Sequence, residues 1–308
     1  MDDARTPIIV GPTAVGKTAV ALALAMQWPL EVISADSRQV YRGLDIATAK
    51  PAPRERQRVV HHLLDLIAPG ERYSAGRFAV DAAAAISSVR QRGHLPVVVG
   101  GTGLYIKALA HGLFAEPPLD RPRRDAITAV TATMDHPALV RWAARLDPGF
   151  GGGGGRHRAA RAIEIALLTG QPLSWWQQRA ATAGSISPWI VRLTVPRAVL
   201  HQRILVRAED MVRRGLVEEV AAALADGAPV GGPGMDGVGV REAVAVLHGE
   251  LSREDLVAAI ATSTRQYAKR QETWFRHQLG ADVKTLDATR SPDHVAAAIV
   301  AAWEQASR

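Results

Sequence analysis

The chain has 308 residues, of which 47% are hydrophobic and 22% are charged, so it is long enough for one large or two modest domains and is not a disordered chain. It contains no cysteine, which excludes a disulfide framework, a thiolate metal site, an iron–sulfur cluster and a cysteine nucleophile. The net charge is +7, and only five of the 37 basic residues are lysine. An arginine-rich chain suits a phosphate or nucleic-acid partner, but a dispersed surface charge with no partner explains these numbers equally well.

The ends and apolar runs of the sequence bear on localisation. There is no apolar run long enough to cross a membrane, and the chain begins with the acidic Met1-Asp2-Asp3 rather than with a basic signal sequence. We therefore expect a soluble, cytoplasmic protein with no membrane partner.

Short apolar runs alternate with helical stretches along much of the chain. The predicted strands are Pro7–Val10, Glu31–Ala35, Leu95–Val99 and, later, Ile190–Val195. This alternation indicates βαβ units and a parallel sheet. After residue 196 the pattern is helical almost to the end of the chain.

Residues 116–187 have a different character and contain no comparable strand. They carry nine arginines, six acidic residues and no lysine. We interpret them as a helical domain inserted into a core formed by residues 1–115 and 188–308.

Two helical patterns and a glycine run stand out within this insertion. The patterns are Leu139/Trp142/Leu146 and Ala160/Ile163/Leu167, and Gly170 is predicted to end the second. The run Gly151–Gly155 is predicted to be a flexible linker, because glycine does not hold one conformation cheaply.

A phosphate-binding loop follows the first predicted strand and precedes a helix. Its residues are Gly11, Pro12, Thr13, Ala14, Val15, Gly16, Lys17 and Thr18. The glycines let backbone N–H groups turn towards a phosphate, Lys17 adds a full positive charge, and the Thr18 hydroxyl is a ligand for Mg²⁺. We therefore predict a di- or triphosphate ligand and an α/β fold with a P-loop NTPase-like parallel sheet, flanked by helices.

The strand over Leu95–Val99 ends without the acid that nucleotide hydrolases place there. Gly100, Gly101 and Thr102 follow it instead. This counts against nucleotide hydrolysis and leaves an open turn with a hydroxyl at the carboxyl end of the sheet, where α/β proteins bind ligands.

Asp36 follows the second predicted strand and should face the same crevice as the phosphate loop. Its carboxylate can take a proton from an attacking group, with Arg38 and Gln39 donating hydrogen bonds to a substrate. The residues alone leave open the alternative that Asp36 merely caps a following helix.

Several motifs together resemble the bacterial tRNA dimethylallyltransferases, over about residues 7–277. Besides the phosphate loop, the motifs are Asp36–Arg42, Thr48–Pro51, His61–Asp65, Gly100–Tyr105, Arg161–Glu164, Met211 with Gly215–Val220, and Arg270–Arg276. The resemblance implies transfer of a dimethylallyl group from dimethylallyl diphosphate to the N6 amine of the adenosine 3′-adjacent to the anticodon, in tRNAs that read codons starting with U.

The resemblance also assigns roles to individual residues. Lys17 and Mg²⁺ on Thr18 would stabilise the leaving diphosphate, and Arg207 would contact it. Asp36 would be the base for the poorly nucleophilic amine, and Thr102 a second contact to the target amine or ribose.

The implied RNA partner is the tRNA anticodon stem-loop, whose target base must be extruded to reach a buried cleft. The residues that would contact it are Asp36, Ser37, Arg38, Gln39, Thr102, Arg124, His157, Arg158, Ala159, Ala160 and Arg161. We expect the protein to act as a monomer.

The sequence departs from the family pattern in two places. Gly149-Phe150 and the glycine run Gly151–Gly155 stand where the family has Ile-His-Pro-Asn-Asp, which removes side chains near the expected tRNA contact. The family's Ile-Gly-Tyr is Val238-Gly239-Val240 here, so an aromatic ring is lost.

Some residues have two interpretations from the sequence alone. Lys50 is either a ligand contact or part of a solvated turn. Arg265, Lys269 and Arg276 share a helical face that is either solvated or contacts RNA. His61-His62 lacks metal-site spacing and is predicted to be structural, and one of Trp175-Trp176 is predicted to lie in a core.

Three other functions remain compatible with the motifs. A P-loop kinase of small molecules shares the phosphate loop, and a prenyltransferase of free adenine nucleotides shares the donor site. A non-catalytic RNA-binding protein would bind tRNA in a salt-dependent manner regardless of dimethylallyl diphosphate.

Overall fold

The structure, a computed structural model, describes residues 5–113, 119–179, 184–280 and 283–306. These residues fall into two units, the first from Met1–Ala110 and Ser185–Arg308 and the second from His111–Gly184. The boundaries lie a few residues before those expected at 116 and 188. None of the helices within the described ranges is long and apolar enough to cross a membrane.

A six-stranded parallel sheet organises the first unit. Its strands are β1 (Thr6–Val10), β2 (Leu30–Ala35), β3 (His61–His62), β4 (Leu95–Gly100), β5 (Pro188–Thr194) and β6 (Lys284–Asp287). They lie in the order β3-β2-β4-β1-β5-β6. Val10 pairs with Gly100, and Gly100 with Ala35, so the loops after β1, β4 and β2 leave the sheet side by side.

Helices cover both faces of this sheet and make up the second unit. In chain order they are α1 (Lys17–Leu24), α2 (Pro53–Arg58), α3 (Ala75–Gln91), α4 (Gly103–His111), α5 (Arg121–Thr133), α6 (His136–Leu146), α7 (Gly155–Thr169), α8 (Leu173–Arg179), α9 (Arg197–Arg213), α10 (Leu216–Ala225), α11 (Val240–Leu247), α12 (Leu256–Gln278) and α13 (Pro292–Ala306).

Alternate residues of the strands face opposite layers of the core. Ile9 and Val97 pack with apolar residues of α1 and α13. Ile8 and Val98 pack with residues of α3 and α4 and with Phe275 of α12. The sheet is therefore buried on both faces, as its uninterrupted apolar strands predict.

The predicted α/β class with a parallel sheet is confirmed, and each of the four predicted strands is present. The prediction that the chain is helical almost to its end after residue 196 was only partly right, because the strand β6 interrupts the helices there and pairs with β5 at the edge of the sheet. Lys284, Thr285 and Asp287 of this strand are exposed. Because these residues are polar, the sequence has no apolar run here that would predict a strand.

The second unit packs α5 to α8 around its own core, which includes Leu139 and Ile163. Gly170 ends α7 in a left-handed conformation with φ of 72°, as predicted. The glycine run is not only a linker, since Gly154 precedes α7 as its N-cap and Gly155 begins the helix. The predicted register of α7 is partly wrong, because Leu167 is exposed.

Candidate active site

The phosphate loop connects β1 to α1, as its motif predicts. Gly16 has a φ of 109° and is the N-cap of α1, a conformation that costs glycine little. A cavity of about 690 Å³ lies against the loop, and Thr13, Ala14, Val15, Gly16, Lys17 and Thr18 line it. Gly11 and Pro12 are buried, and their carbonyls each accept a hydrogen bond from Lys17 Nζ at 2.8 Å.

Lys17 and Arg207 are among the cationic residues that line this cavity. Burial lowers the pKa of Lys17 to about 8. The positive charge of Arg207 lowers it further, whereas the negative charge of Asp36 acts to raise it. Arg207, from α9, lines the same cavity, and burial lowers its pKa as well. In the part of the chain that the structure describes, no hydrogen bond or ion pair engages the Arg207 guanidinium. Partly desolvated cations bind an anion more strongly than solvated ones do, so the cavity suits a diphosphate.

Asp36 lies at the carboxyl end of β2, and its Oδ1 accepts a hydrogen bond from the backbone N–H of Arg38 at 2.9 Å. The residues after Asp36 form a turn, and the next helix, α2, begins only at Pro53. The alternative that Asp36 caps a following helix was therefore wrong.

A second cavity, of about 250 Å³, adjoins the first. Arg38, Thr48 and Val238 are among its lining residues. The residues that line both cavities are Thr13, Asp36, Arg207 and Tyr267. The carboxylate thus lies where a phosphate-binding cavity meets a second, smaller one.

Thr102 lies in the turn after β4, beside Asp36. Its hydroxyl accepts a hydrogen bond from the backbone N–H of Ser37 at 3.0 Å. Neither Thr102 nor Ser37 is among the lining residues of the two cavities. A Cβ on Gly100 would lie 2.1 Å from the Ala35 carbonyl oxygen, so only glycine lets the loops after β2 and β4 approach this closely.

Arg38 and Gln39 line the cavities but are engaged within the protein. Arg38 pairs with Asp236 and donates to the Pro233 carbonyl at 2.8 Å. The Gln39 amide donates to the carbonyls of Thr48 and Ala49 at 3.4 and 3.3 Å.

Lys50 is neither a ligand contact nor part of a solvated turn, so both predicted alternatives were wrong. Its ammonium group is fully buried and donates to the Tyr41 carbonyl and to Asp45 Oδ1, each at 2.6 Å, and also to Asp65. Lys50 therefore stabilises the loop after β2 by joining Tyr41, Asp45 and Asp65.

Tyr267, Gln271 and Arg203 are among the residues around the cavities that sequence reasoning missed. Burial raises the pKa of Tyr267 to about 12, with a contribution from Asp36, so its phenol remains protonated at neutral pH. Arg203 donates to the carbonyls of Val15 and Ala288 and so supports the phosphate loop from outside. Tyr267 and Gln271 are four residues apart on α12, and this helical spacing was the available signal.

The predicted RNA-contacting residues of the second unit differ in exposure. His157 and Arg158 are exposed, and Ala160 is half-buried. Arg124 and Arg161 both pair with Glu164. Ala159 is fully buried in the core of this unit and its side chain has no surface to offer to RNA, so the prediction that it contacts RNA was wrong.

The predicted basic face of α12 lies in a groove beside α9. Arg265, Lys269 and Arg276 line this groove together with Arg197 and His201. The groove has a volume of about 610 Å³ and is strongly basic.

The remaining motif residues are structural. His62 hydrogen-bonds to Glu31 at 2.6 Å, and His61 to the Val59 carbonyl at 2.7 Å. Trp176 packs against the core of the second unit and donates to Thr169 Oγ1. Among the residues described here, no group of three His, Asp or Glu side chains is arranged to hold a metal ion.

Comparisons with known proteins identify the family. The IPP transferase family model matches residues 39–278, and the isopentenyl transferase model matches residues 4–67. The chain belongs to the IPP transferase family. The resemblance inferred from the motifs is thereby confirmed.

Relatives in this family cover almost the whole chain. A tRNA dimethylallyltransferase from Anaeromyxobacter dehalogenans is 43% identical over 281 residues, which is 90% of this chain and 93% of the relative. One from Halorhodospira halophila is 45% identical and covers 88% and 89% of the two chains.

Solved structures of family members share the fold. The full-length tRNA isopentenylpyrophosphate transferase of Bacillus halodurans superposes with a TM-score of 0.71 at 33% identity and covers 98% of both chains. A eukaryotic dimethylallyltransferase acting on tRNA gives a TM-score of 0.76 at 28% identity, with 92% of this chain and 74% of that one covered.

Proposed function

We propose that this member of the IPP transferase family transfers a dimethylallyl group from dimethylallyl diphosphate to the N6 amine of the adenosine 3′-adjacent to the anticodon, in tRNAs that read codons starting with U. The observation that carries the proposal is the position of Asp36, which lines both the cavity of the phosphate loop and the adjoining smaller cavity. Family members named for this reaction match 88–90% of the chain at 43–45% identity.

The donor would bind in the larger cavity. Its diphosphate oxygens would accept hydrogen bonds from backbone N–H groups of the phosphate loop and from Lys17 and Arg207, both of which line the cavity. The dimethylallyl carbon would then face Asp36.

The residues present fit a magnesium ion that arrives with the donor. Thr18, whose side chain carries a hydroxyl, lines the cavity next to Lys17. Mg²⁺ usually keeps several waters and binds substrate phosphates with few protein ligands, which agrees with a single hydroxyl ligand here. When bound, the ion would neutralise charge on the leaving diphosphate.

The acceptor nucleobase would enter the smaller cavity, with its exocyclic amine next to Asp36. As the bond from the amine nitrogen to the dimethylallyl carbon forms, the carbon–oxygen bond of the donor breaks and its electron pair remains on the diphosphate. The Asp36 carboxylate takes the proton that the amine must lose. Tyr267 stays protonated beside Asp36, so its hydroxyl can donate a hydrogen bond to the acceptor nucleobase.

The tRNA backbone would bind to basic surfaces on each unit. In the second unit these are His157 and Arg158, with Arg124 and Arg161 beside them. In the first unit the groove between α9 and α12 offers Arg265, Lys269 and Arg276. Arginine-rich surfaces suit phosphate because the guanidinium group binds two oxygens at once. With tRNA as its substrate, we expect the protein to act in the cytoplasm, as a monomer.

The test is incubation of the protein with Mg²⁺, dimethylallyl diphosphate and unmodified tRNA, followed by digestion and mass analysis of the nucleosides. The proposal predicts one dimethylallyl adenosine per tRNA, at the position after the anticodon. Transfer to free adenine nucleotides but not to tRNA, ATP turnover without RNA, or tRNA binding with no product would each contradict it.

A further inference from the structure

Gln271 of α12 connects two loops of the active site. Its Oε1 accepts a hydrogen bond from the backbone N–H of Thr13, in the phosphate loop, at 2.8 Å. Its Nε2 donates to the carbonyl of Gly101, in the turn after β4, at 2.9 Å. The residue is only 7% exposed. Both ends of one buried amide are therefore used, one on each loop.

The turn after β4 is built closely against this face of α12. A Cβ on Gly101 would lie 2.4 Å from Gln271 Nε2, and a Cβ on Gly103 would lie 2.2 Å from the Trp274 ring. With the side chains as they lie, a larger residue at either position would displace Gln271 or Trp274. A movement of the turn therefore requires a movement of the α12 side chains, because packed contacts of this kind do not deform freely.

The same face of α12 reaches the acceptor side of the site. Tyr267, one helical turn before Gln271, lines both cavities. Thr102, the residue after Gly101, is near enough to Tyr267 to affect the pKa of its hydroxyl. The helix thus contacts the donor loop through Thr13 and the turn after β4 through Gly101.

We propose that Gln271 is a positioning residue that couples occupation of the donor cavity to the turn at Gly100–Thr102. A diphosphate that attracts the N–H groups of the phosphate loop shifts the Thr13 peptide, and the Gln271 amide passes this shift to the Gly101 carbonyl. Thr102 and Asp36 are then held in register with the donor carbon. The chemical consequence rests on the proposed function, whereas the coupling itself does not, and coupling between two sites is reciprocal.

Hydrogen exchange with inorganic pyrophosphate and Mg²⁺ tests the coupling without any transfer reaction. The variant is Gln271→Met, which keeps the shape of the side chain and removes both hydrogen bonds. Gln278→Met, an exposed position on the same helix, is the matched control.

In the wild-type protein and in Gln278→Met, pyrophosphate should slow exchange in peptides covering both 11–18 and 100–106. In Gln271→Met it should slow exchange only in 11–18. Protection of 100–106 in Gln271→Met equal to that of the wild type would overturn the proposal.

A second variant distinguishes the two hydrogen bonds and guards against a folding defect. The carboxylate of Gln271→Glu can still accept from Thr13 but cannot donate to Gly101, so it should behave as Gln271→Met does in the 100–106 peptide. Retained protection there would contradict the proposal. Melting temperatures and the stoichiometry of pyrophosphate binding establish that each variant is folded.

Single-turnover prenylation of tRNA separates positioning from a merely structural role. In Gln271→Met the rate should fall about 10- to 100-fold at saturating substrates, with KM for both substrates within about threefold and one pyrophosphate still bound per chain. A rate that falls only in proportion to the loss of binding-competent protein would show a structural role and overturn the inference. If the wild-type protein itself transfers nothing, the proposed function fails while the exchange experiment still decides the coupling.

Discussion

The backbone N–H of Ser37 donates a hydrogen bond to the hydroxyl of Thr102 at 3.0 Å, across 65 positions of the chain. The Thr102 hydroxyl in turn donates to Ser37 Oγ at 3.3 Å. These bonds join the loop after β2 to the turn after β4. Because Asp36 immediately precedes Ser37, they also restrain the backbone of Asp36 relative to that turn.

Replacing Thr102 tests whether this link matters for catalysis. Thr102→Val removes the acceptor for the Ser37 N–H and should slow single-turnover transfer about 10- to 100-fold, because small misplacements of a catalytic group are costly. Thr102→Ser keeps the hydroxyl and should remain within about threefold of the wild type. Similar rates for Thr102→Val and the wild-type protein would show that Asp36 is positioned by other contacts.

The lowered pKa of Lys17 predicts how donor binding depends on pH. Its pKa is about 8 because of burial, so the ammonium charge is lost as pH rises through that value. Pyrophosphate affinity, measured by calorimetry, should then fall by up to about tenfold per pH unit above pH 8, in excess of any change caused by the ligand's own ionisation. The pH profile of Lys17→Met, which has no titrating group at this position, measures the change that comes from the ionisation of the ligand alone. Parallel pH profiles for the two proteins would exclude Lys17 as the titrating group.

Glu219, on α10, stabilises the loop at residues 45–47, which follows β2. Its carboxylate accepts hydrogen bonds from the backbone N–H groups of Asp45, Ile46 and Ala47 at 2.7–2.8 Å. Glu219→Ala leaves these groups unpaired and should lower the free energy of unfolding by about 2–3 kcal/mol.

The neighbouring Glu218 provides a matched control for Glu219. It pairs with Arg253 on the surface, where both side chains are more than half exposed. Glu218→Ala should change the free energy of unfolding by about 0.5 kcal/mol or less. Chemical denaturation measures both variants, and equal losses would contradict the bracing role of Glu219.

Glu31 lies near the start of β2, at the end of the strand away from Asp36. Its environment should make the stability of the protein depend on pH in the acid range. Hydrogen bonds from Arg92 lower the pKa of Glu31 from 4.5 to about 2. Burial acts in the opposite direction, and hydrogen bonds with His62 and His94 add to the lowering. A carboxylate with a lowered pKa stabilises the fold above its unfolded value of 4.5 and loses that contribution as pH falls towards 2.

We therefore expect Glu31→Gln to be about 2 kcal/mol less stable at neutral pH and to lose less stability than the wild type between about pH 5 and 2. Denaturation as a function of pH measures this. The exposed Glu304→Gln should retain the wild-type slope, and an unchanged slope in Glu31→Gln would reject the assignment.

Much of the fold was predictable because its signals are local. The apolar runs of β1, β2, β4 and β5 and the phosphate loop between β1 and α1 each lie within a few consecutive residues. The edge strand β6 was not predictable in this way. It is held by pairing with β5, nearly a hundred positions away, rather than by apolar residues of its own.

Apart from the phosphate loop and Arg207, the residues of the candidate site that were predicted lie just after strands. Asp36 directly follows β2 and Thr102 comes two residues after β4, so the topology brings them together. Lys50 was misjudged because its partners Tyr41, Asp45 and Asp65 come from loops whose folding the sequence does not reveal. Gln271 had no visible role, because both its partners lie more than 150 positions away.

Asp36 is the proposed base that removes a proton from the acceptor amine at the junction of the two cavities. Asp36→Asn keeps the size of the side chain and the acceptor for the Arg38 N–H but is no base. The most direct measurement is single-turnover transfer from dimethylallyl diphosphate to unmodified tRNA, with pyrophosphate and tRNA affinities measured alongside. We expect a loss of at least about 100-fold in rate for Asp36→Asn, with both affinities within about threefold of the wild type. A rate close to that of the wild type would contradict it.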